Sequence, residues 1–109
     1  MTDLPKTVRI GYADYRVQPW PHHEAAAAGR YGECSSYELV IRIDDGLLDR
    51  SPLKAADTML HEILHAIYWV YGVEDEDKEE RLVGMMASAL TQVWRDNPQV
   101  VAWLNEQLK

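Results

Sequence analysis

Two histidines one helical turn apart, with a glutamate directly after the first, are the residues of this chain best suited to chemistry. They belong to His61-Glu62-Ile63-Leu64-His65, which follows the H-E-x-x-H pattern of zinc hydrolases. Residues i and i+4 of a helix share a face, so both imidazoles can direct a ring nitrogen at one metal ion. Glu62 is rotated away from that face, which suits a general base acting on a metal-activated water. The pattern predicts a Zn²⁺ site with His61 and His65 as ligands.

The residues that flank this pattern predict the helix on which it depends. Ser51 and Pro52 are typical of a helix start, with Ser51 able to cap free N–H groups, and Gly72 is typical of a helix end. His61 and His65 then fall on one flank of an apolar stripe that is expected to face the core. The members of the stripe are Leu53, Ala56, Leu60, Leu64, Ile67 and Tyr71. The metal site is therefore expected at the edge of the hydrophobic core.

A third ligand is expected from the acidic residues 74–80, because two histidines and one carboxylate are a common catalytic zinc set. His65 lies seven residues before Gly72 and Glu79 lies seven after it, so an antiparallel helix hairpin would place both at about the same level. Glu79 also falls on a predicted apolar face, where a carboxylate is costly unless a cation neutralises it. That face comprises Leu82, Val83, Met86, Leu90, Val93 and Trp94. Glu79 is the predicted third ligand, and Glu80 is the alternative.

Other residues are less suited to the site. Tyr68 and Tyr71 stand where a longer histidine pattern, H-E-x-x-H-x-x-G-x-x-H, requires Gly and His, so that pattern is excluded. The same tyrosines are candidates for oxyanion stabilisation, although packing is the simpler role. His22 and His23 lie beside prolines and are expected in a solvent-exposed turn, while a role as ligands or substrate-side donors stays open.

Composition limits the class of protein. The chain has 109 residues, enough for one domain (1–109), with 47% hydrophobic and 27% charged residues, as in globular proteins. A net charge of −7 without a basic cluster argues against nucleic-acid binding. Residues 66–71 are too short an apolar run for a membrane span, and no apolar leader is seen, so a cytoplasmic location is expected. Cys34 is the single cysteine, which excludes an intrachain disulfide and favours a packing role.

The order of predicted elements indicates an α+β fold. Alternating residues at 7–10, 12–17 and 37–43 predict a small antiparallel N-terminal sheet of two or three strands. Residues 18–32 contain Pro and Gly around an Ala run, so a loop or one short turn is expected there. Helical periodicity predicts an antiparallel partner helix from Asp75 to about Asp96. A short C-terminal helix capped by Asn97 follows it.

The chain resembles the small gluzincin-like metallopeptidases of bacteriophage and prophage genomes, which are distantly related to ImmA/IrrE-type peptidases. The resemblance is carried by the N-terminal strand pair, Tyr31-Gly32-Glu33-Cys34 before the next strand, residues 58–67 around the histidines, and the acidic helix that ends at Asn97-Pro98. It implies a minimal zincin-like fold, zinc on His61, His65 and a downstream glutamate, and Glu62 as general base. It also implies the host cytoplasm for a phage-encoded protein. Val83 departs from the thermolysin-like pattern, which has an acidic residue four positions after the ligand glutamate.

The predicted function is a zinc-dependent metallopeptidase that hydrolyses peptide bonds of a peptide or protein substrate. An exposed sheet edge at residues 39–43 is expected to hold an extended substrate by strand addition. The alternative is a non-catalytic, metal-stabilised binding or regulatory protein of phage or prophage origin. A partner protein with a vestigial site and a chance spacing of the two histidines are also open. Substrate and oligomeric state stay undetermined.

Overall fold

The computed structural model describes residues 3–74 and 78–109, which form one four-stranded sheet and five helices. The strands are β1 (Thr7–Ile10), β2 (Ala13–Trp20), β3 (Gly32–Ser35) and β4 (Val40–Asp44). The helices are α1 (His22–Ala28), α2 (Asp45–Arg50), α3 (Pro52–Val70), α4 (Glu79–Asp96) and α5 (Pro98–Gln107). These elements confirm the α+β class. None of the helices in the two described ranges is long and apolar enough to cross a membrane.

The sheet is mixed, with strand order β1-β2-β4-β3, so the expected antiparallel sheet of two or three strands is wrong. The pairs β1–β2 and β3–β4 are antiparallel, whereas β2 and β4 are parallel. The parallel pair arises because the chain crosses over through α1 and β3 before it returns to the side of β2. β4 therefore lies inside the sheet, and the exposed edge expected at residues 39–43 is wrong as well. The edge beside β4 is formed by β3.

The segment between β2 and β4 is more regular than its composition suggests. Residues 18–32, predicted as a loop or one short turn, form the end of β2, the helix α1 and the first residue of β3. The Ala run has high helix propensity, and Gly29 ends α1 with a φ of 70°. The predicted strand at 37–43 is shortened, because Leu39 has a φ of 58° and the strand begins only at Val40. His22 is the first residue of α1 and does not lie in a free turn. Its Nδ1 atom is 3.0 Å from a carboxylate oxygen of the buried Asp44.

Helix α3 has the expected limits but a different buried face. It begins at Pro52 and ends just before Gly72, as predicted, but the Ser51 side chain makes no capping hydrogen bond. Leu53 and Leu64 of the predicted stripe are 68% and 42% exposed. Ala56 and Ile67 of that stripe are buried as predicted, and the other buried residues lie on a neighbouring stripe of the helix. The buried residues of α3 are Ala55, Ala56, Thr58, Met59, Glu62, Ile63, Ala66 and Ile67.

Helix α4 is also rotated relative to the prediction. Glu79, Val83 and Trp94 are exposed, so the predicted apolar face is correct only in part. Ala89 and Val93 are its buried residues. The predicted start at Asp75 and the acidic residues 75–77 lie outside the described residues.

Asn97 ties the last two helices to the sheet, where the sequence predicted a helix cap. Its side chain makes no capping hydrogen bond and is buried, with 1% of its surface exposed. The Asn97 Oδ1 accepts from the Arg9 N–H at 2.7 Å, and its Nδ2 donates to the carbonyls of Arg9 and Val93 at 2.8 Å each. Gln92 adds bonds to Gly11 and Arg9. The C-terminal half of α4 is thus fixed to β1.

Candidate metal centre

His61 and His65 lie side by side on the exposed flank of α3. Their Nε2 atoms are 3.1 Å apart, and the ring planes meet at 67° with centroids 4.8 Å apart. Two nitrogen ligands of a tetrahedral zinc ion, each at 2.0–2.1 Å, stand about 3.3–3.4 Å from each other. The separation in this structure is close to that value. The two histidines therefore fit adjacent positions around one metal ion.

Glu62 points away from solvent, towards the sheet. It is 5% exposed, and a Cβ placed on Gly32 of β3 would lie 3.1 Å from its Oε2 atom. Burial raises the pKa of the Glu62 carboxyl, while the neighbouring His61 and Arg30 partly oppose that shift. The Glu62 side chain thus points towards the sheet and is buried, whereas the side chains of His61 and His65 are exposed. This arrangement separates a buried carboxyl group from two exposed imidazole rings.

Three depressions in the surface meet at His61. The first, which we call the amino-end cleft, has a volume of about 240 Å³ and is lined by Arg30, Tyr31, Gly32, Lys54, Asp57, Thr58, His61 and Glu62. The second, the apolar groove, has a volume of about 350 Å³ and is lined by His61, His65, Leu64, Tyr68, Leu82 and Met86. The third, the Cys34 cleft, has a volume of about 220 Å³ and is lined by Glu33, Cys34, His61, Glu62, His65 and Trp69. The histidines are therefore accessible both along the helix and across it.

No third ligand is brought to the histidines by the residues that the structure describes. Among the described residues, no group of three or more His, Cys, Asp and Glu side chains is close enough to hold a metal ion. Glu79 and Glu80 are both exposed in the first turn of α4. Leu82 of the next turn lines the apolar groove together with His61 and His65. Glu79 precedes Leu82 by three residues and so shares its side of the helix, but its role as a ligand stays a prediction.

Cys34 and Glu33 of β3 also line a cleft beside the histidines. The Cys34 thiol is protonated, and the Glu33 carboxylate is already hydrogen-bonded to another side chain. Burial, followed by the nearby Glu62 carboxylate, raises the pKa of the Cys34 thiol from 9.0 to about 11, so it is protonated at neutral pH. Glu33 accepts a hydrogen bond of 2.6 Å from Arg42. The expected packing role of Cys34 agrees with its partly buried position against the core.

Three residues near the centre were missed in the sequence. Gly32 lets β3 approach α3, because a Cβ there would lie 2.6 Å from the Thr58 Cγ2 atom and 2.9 Å from the Arg42 carbonyl oxygen. A glycine inside a strand signals such an approach, but residue 32 was placed in a predicted loop, so the signal was not recognised. Arg30 and Lys54 have no sequence signal, since they are 24 positions apart and meet only through the fold.

Comparisons with known proteins give no further information about this site. No protein-family model, curated protein or solved structure matches this chain. The likeness to phage metallopeptidases therefore rests on the residues quoted for it. A function has to be argued from the histidine pair, Glu62 and the clefts around them.

Proposed function

We propose that this protein is a zinc-dependent peptidase with a minimal zincin-like fold. His61 and His65 would hold the ion, and Glu79 would complete the protein ligands. The observation that carries the proposal is the pair of Nε2 atoms 3.1 Å apart on α3, directly beside the buried Glu62. A chance pair of surface histidines has no need of a buried carboxylate next to it, because such a group is costly to bury.

The chemistry divides between the ion and the side chains. Zinc, when bound, would supply a Lewis acid that lowers the pKa of a water and polarises a peptide carbonyl. Glu62 would accept the proton of the attacking water and deliver it to the leaving amine. Because Glu62 is shielded from bulk solvent, its proton would be held close to the reacting atoms.

An extended substrate would lie along β3 instead of β4. β3 pairs with β4 on one side and forms the edge of the sheet next to α3. Strand addition uses the free backbone groups of such an edge. Gly32 brings this strand to Glu62, so a peptide added there would pass the proposed general base.

The first test concerns the ligands. We expect the purified protein to bind about one zinc ion, measured by mass spectrometry of the metal content, and His61→Ala or His65→Ala to lose it. His23→Ala is the matched control, because His23 is exposed on α1 and far along the chain from α3. Glu79→Gln should weaken zinc binding, whereas Glu80→Gln should not. The reverse result would exchange the two glutamates, and an absence of zinc from the wild-type protein would refute the centre.

The second test concerns the reaction. We expect Glu62→Gln to keep its zinc and to lose hydrolysis of a fluorogenic peptide by roughly 10²–10⁴-fold, the usual contribution of a general base. Glu24→Gln, an exposed change of the same type on α1, should be silent. Unchanged hydrolysis in Glu62→Gln would exclude Glu62 as the base.

One observation favours the alternative of a metal-stabilised, non-catalytic protein. The N-terminal part of α4 faces α3 across the open apolar groove, so a metal that joined Glu79 to the histidines would fasten α4 to α3. A chelator separates the two functions. If EDTA unfolds the protein, and the zinc-loaded wild type hydrolyses none of the peptides, the structural role is favoured. If EDTA stops hydrolysis while the fold persists, the ion is catalytic.

A further inference from the structure

Two cations gather at one end of the candidate centre, although the protein carries a net charge of −7. Arg30 and Lys54 both line the amino-end cleft, together with His61 and Glu62. They come from different elements: Arg30 follows α1, and Lys54 belongs to the first turn of α3. The fold therefore brings two cations from distant parts of the sequence into one cleft, where the carboxyl groups of Asp57 and Glu62 also lie.

The backbone of Arg30 is held in place at the end of α1. Its N–H donates to the Ala25 carbonyl at 3.1 Å, and the next residue, Tyr31, accepts a 2.8 Å bond from the Asp44 N–H. The side chain, by contrast, is exposed and forms no ion pair within the described part of the chain. Arg30 thus offers a planar, permanently charged donor from a fixed position, a geometry that suits a carboxylate.

Lys54 is oriented over the same cleft by an aromatic ring. Its Nζ lies 4.9 Å from the centroid of the Tyr31 ring. Asp57 approaches the Nζ at 3.4 Å, but the Asp57 side chain is mostly exposed, so solvent screens that pair. The Lys54 side chain is itself partly exposed, so the ammonium group is accessible to an incoming anion that competes with Asp57. Tyr31 lies next to both cations, because it follows Arg30 in sequence and its ring lies beneath the Lys54 ammonium group.

The distance from these cations to the reacting position is set by α3. Lys54 precedes His61 by seven residues, which is about 10 Å along a helix. An extended peptide covers about 3.3 Å per residue, so this distance corresponds to about three residues of substrate. β3 runs in the same direction as α3, since Gly32 is next to Thr58 and Cys34 lines a cleft with His65. A peptide added antiparallel to β3 would therefore bring its C-terminal side to Arg30 and Lys54.

We propose that the amino-end cleft is a specificity site in which Arg30 and Lys54 bind a carboxylate of the substrate about three residues from the scissile bond. The proposal rests on the peptidase function above and adds its substrate class, an acidic peptide. The carboxylate belongs to an acidic side chain or to the C-terminus of the peptide. Both present the same chemistry to a guanidinium and an ammonium group.

The test measures binding, so it does not require turnover. Zinc-loaded Glu62→Gln protein is titrated into fluorescently labelled decapeptides of one sequence that is neutral apart from the tested groups, and anisotropy is recorded. Amidated peptides that place Glu or Gln at each position report on an acidic side chain, and an all-neutral peptide with a free C-terminus reports on the terminal carboxylate. We expect the charged peptide to bind about 3- to 10-fold more tightly than its neutral partner, and less so at high salt.

Variants connect the preference to the two cations. Arg30→Gln and Lys54→Gln, added to Glu62→Gln, should each reduce the preference, and together they should abolish it. Arg16→Gln is the matched control, because it removes one exposed positive charge from β2 outside the cleft and should leave the preference unchanged. Circular dichroism checks that each variant is folded.

The outcomes separate this proposal from the peptidase function. Equal binding of charged and neutral peptides, or a preference that survives the double change, would overturn the specificity site. Hydrolysis by the wild type without any charge preference would also overturn it and leave the peptidase function intact. A charge preference that depends on Arg30 and Lys54, without hydrolysis of any bound peptide by the wild type, would support the anion site and refute the peptidase.

Discussion

The two sides of the histidine pair are built differently. On the side of β3, Gly32 allows the strand to approach α3 so closely that Glu62 is buried between them. On the side of α4, an open apolar groove separates Leu82 and Met86 from the histidines. The sheet side is closely packed, and the α4 side leaves space. The proposed general base, Glu62, thus lies in the packed half, and the predicted third ligand lies in the open half.

This difference suggests how metal binding and folding are connected. The positions of His61, Glu62 and His65 follow from the packing of α3 on the sheet and do not require α4. Glu79 depends on where the first turn of α4 lies, and α4 is anchored at its other end, through Asn97 and Gln92. Zinc binding would therefore draw the N-terminal part of α4 towards α3. The predictions below test whether the two sides behave independently.

The largest effect is expected for the anchor of α4. Asn97→Ala removes three hydrogen bonds and leaves polar groups of Arg9 and Val93 without that partner. We expect the free energy of unfolding to fall by about 2–4 kcal/mol, measured by urea denaturation. Asn105→Ala, an exposed change on α5, should cost far less.

The same variant tests the independence of the two sides. Hydrogen exchange in Asn97→Ala should increase in α4 and change little in β3 and the adjacent part of α3. Equal increases on both sides would show that the sheet side also depends on α4, which would contradict the comparison.

A somewhat smaller effect is expected on the packed side. Gly32→Ala would place a Cβ 2.6 Å from Thr58 Cγ2 and 2.9 Å from the backbone carbonyl oxygen of Arg42, which cannot rotate away. We expect a loss of about 1–3 kcal/mol in the free energy of unfolding, typical of overpacking. The variant should also displace Glu62 and slow peptide hydrolysis more than it weakens zinc binding. A stability equal to that of the wild type would show that β3 can move away from α3.

A matched glycine-to-alanine change on the open side should increase the free energy of unfolding instead of lowering it. Gly84 lies within α4, and a Cβ there meets no atom within 4 Å. We expect Gly84→Ala to increase the free energy of unfolding by about 0.5–1 kcal/mol, because alanine is a better helix former. Thermal denaturation measures both glycine variants under one set of conditions. A loss of stability in Gly84→Ala would show that α4 is more closely packed there than the groove suggests.

Features that depend on neighbouring residues in the sequence, such as helix limits, were predicted correctly more often for the fold than for the candidate site. Pro52 and Gly72 predicted the limits of α3, since both act through the backbone of their own neighbourhood. The buried face of α3 was predicted correctly only in part, at Ala56 and Ile67, because apolar residues recur on two adjacent stripes and only contact with the sheet selects the one that contains Met59. The mixed sheet was missed because a parallel pair depends on a crossover, for which the alternation of residues gives no signal.

In the candidate centre, too, local features were predicted and features that depend on the tertiary fold were not. The spacing of His61 and His65 is a local property of a helix, so the pattern placed their ring nitrogens together correctly. The position of Glu79 relative to them depends on the space between two helices, which no local pattern determines. The meeting of Arg30 with Lys54 likewise depends on how α1 ends against α3.

The last effect is expected on the packed side, in the pH dependence of stability that Cys34 contributes. Its pKa is raised to about 11 in the folded protein, above the 9.0 of an exposed thiol, because burial disfavours the thiolate. Stability from the neutral thiol is therefore fully present below pH 9 and is lost as the pH rises towards 11, because the unfolded chain releases the proton first. Urea denaturation of the wild type and Cys34→Ala at pH 7 and pH 10 measures this, since the titration of other groups cancels in the difference. We expect the stability advantage of the wild type to be smaller at pH 10. A constant difference would show that solvent reaches the thiol, and that the packing between β3 and α3 is looser at Cys34 than at Gly32.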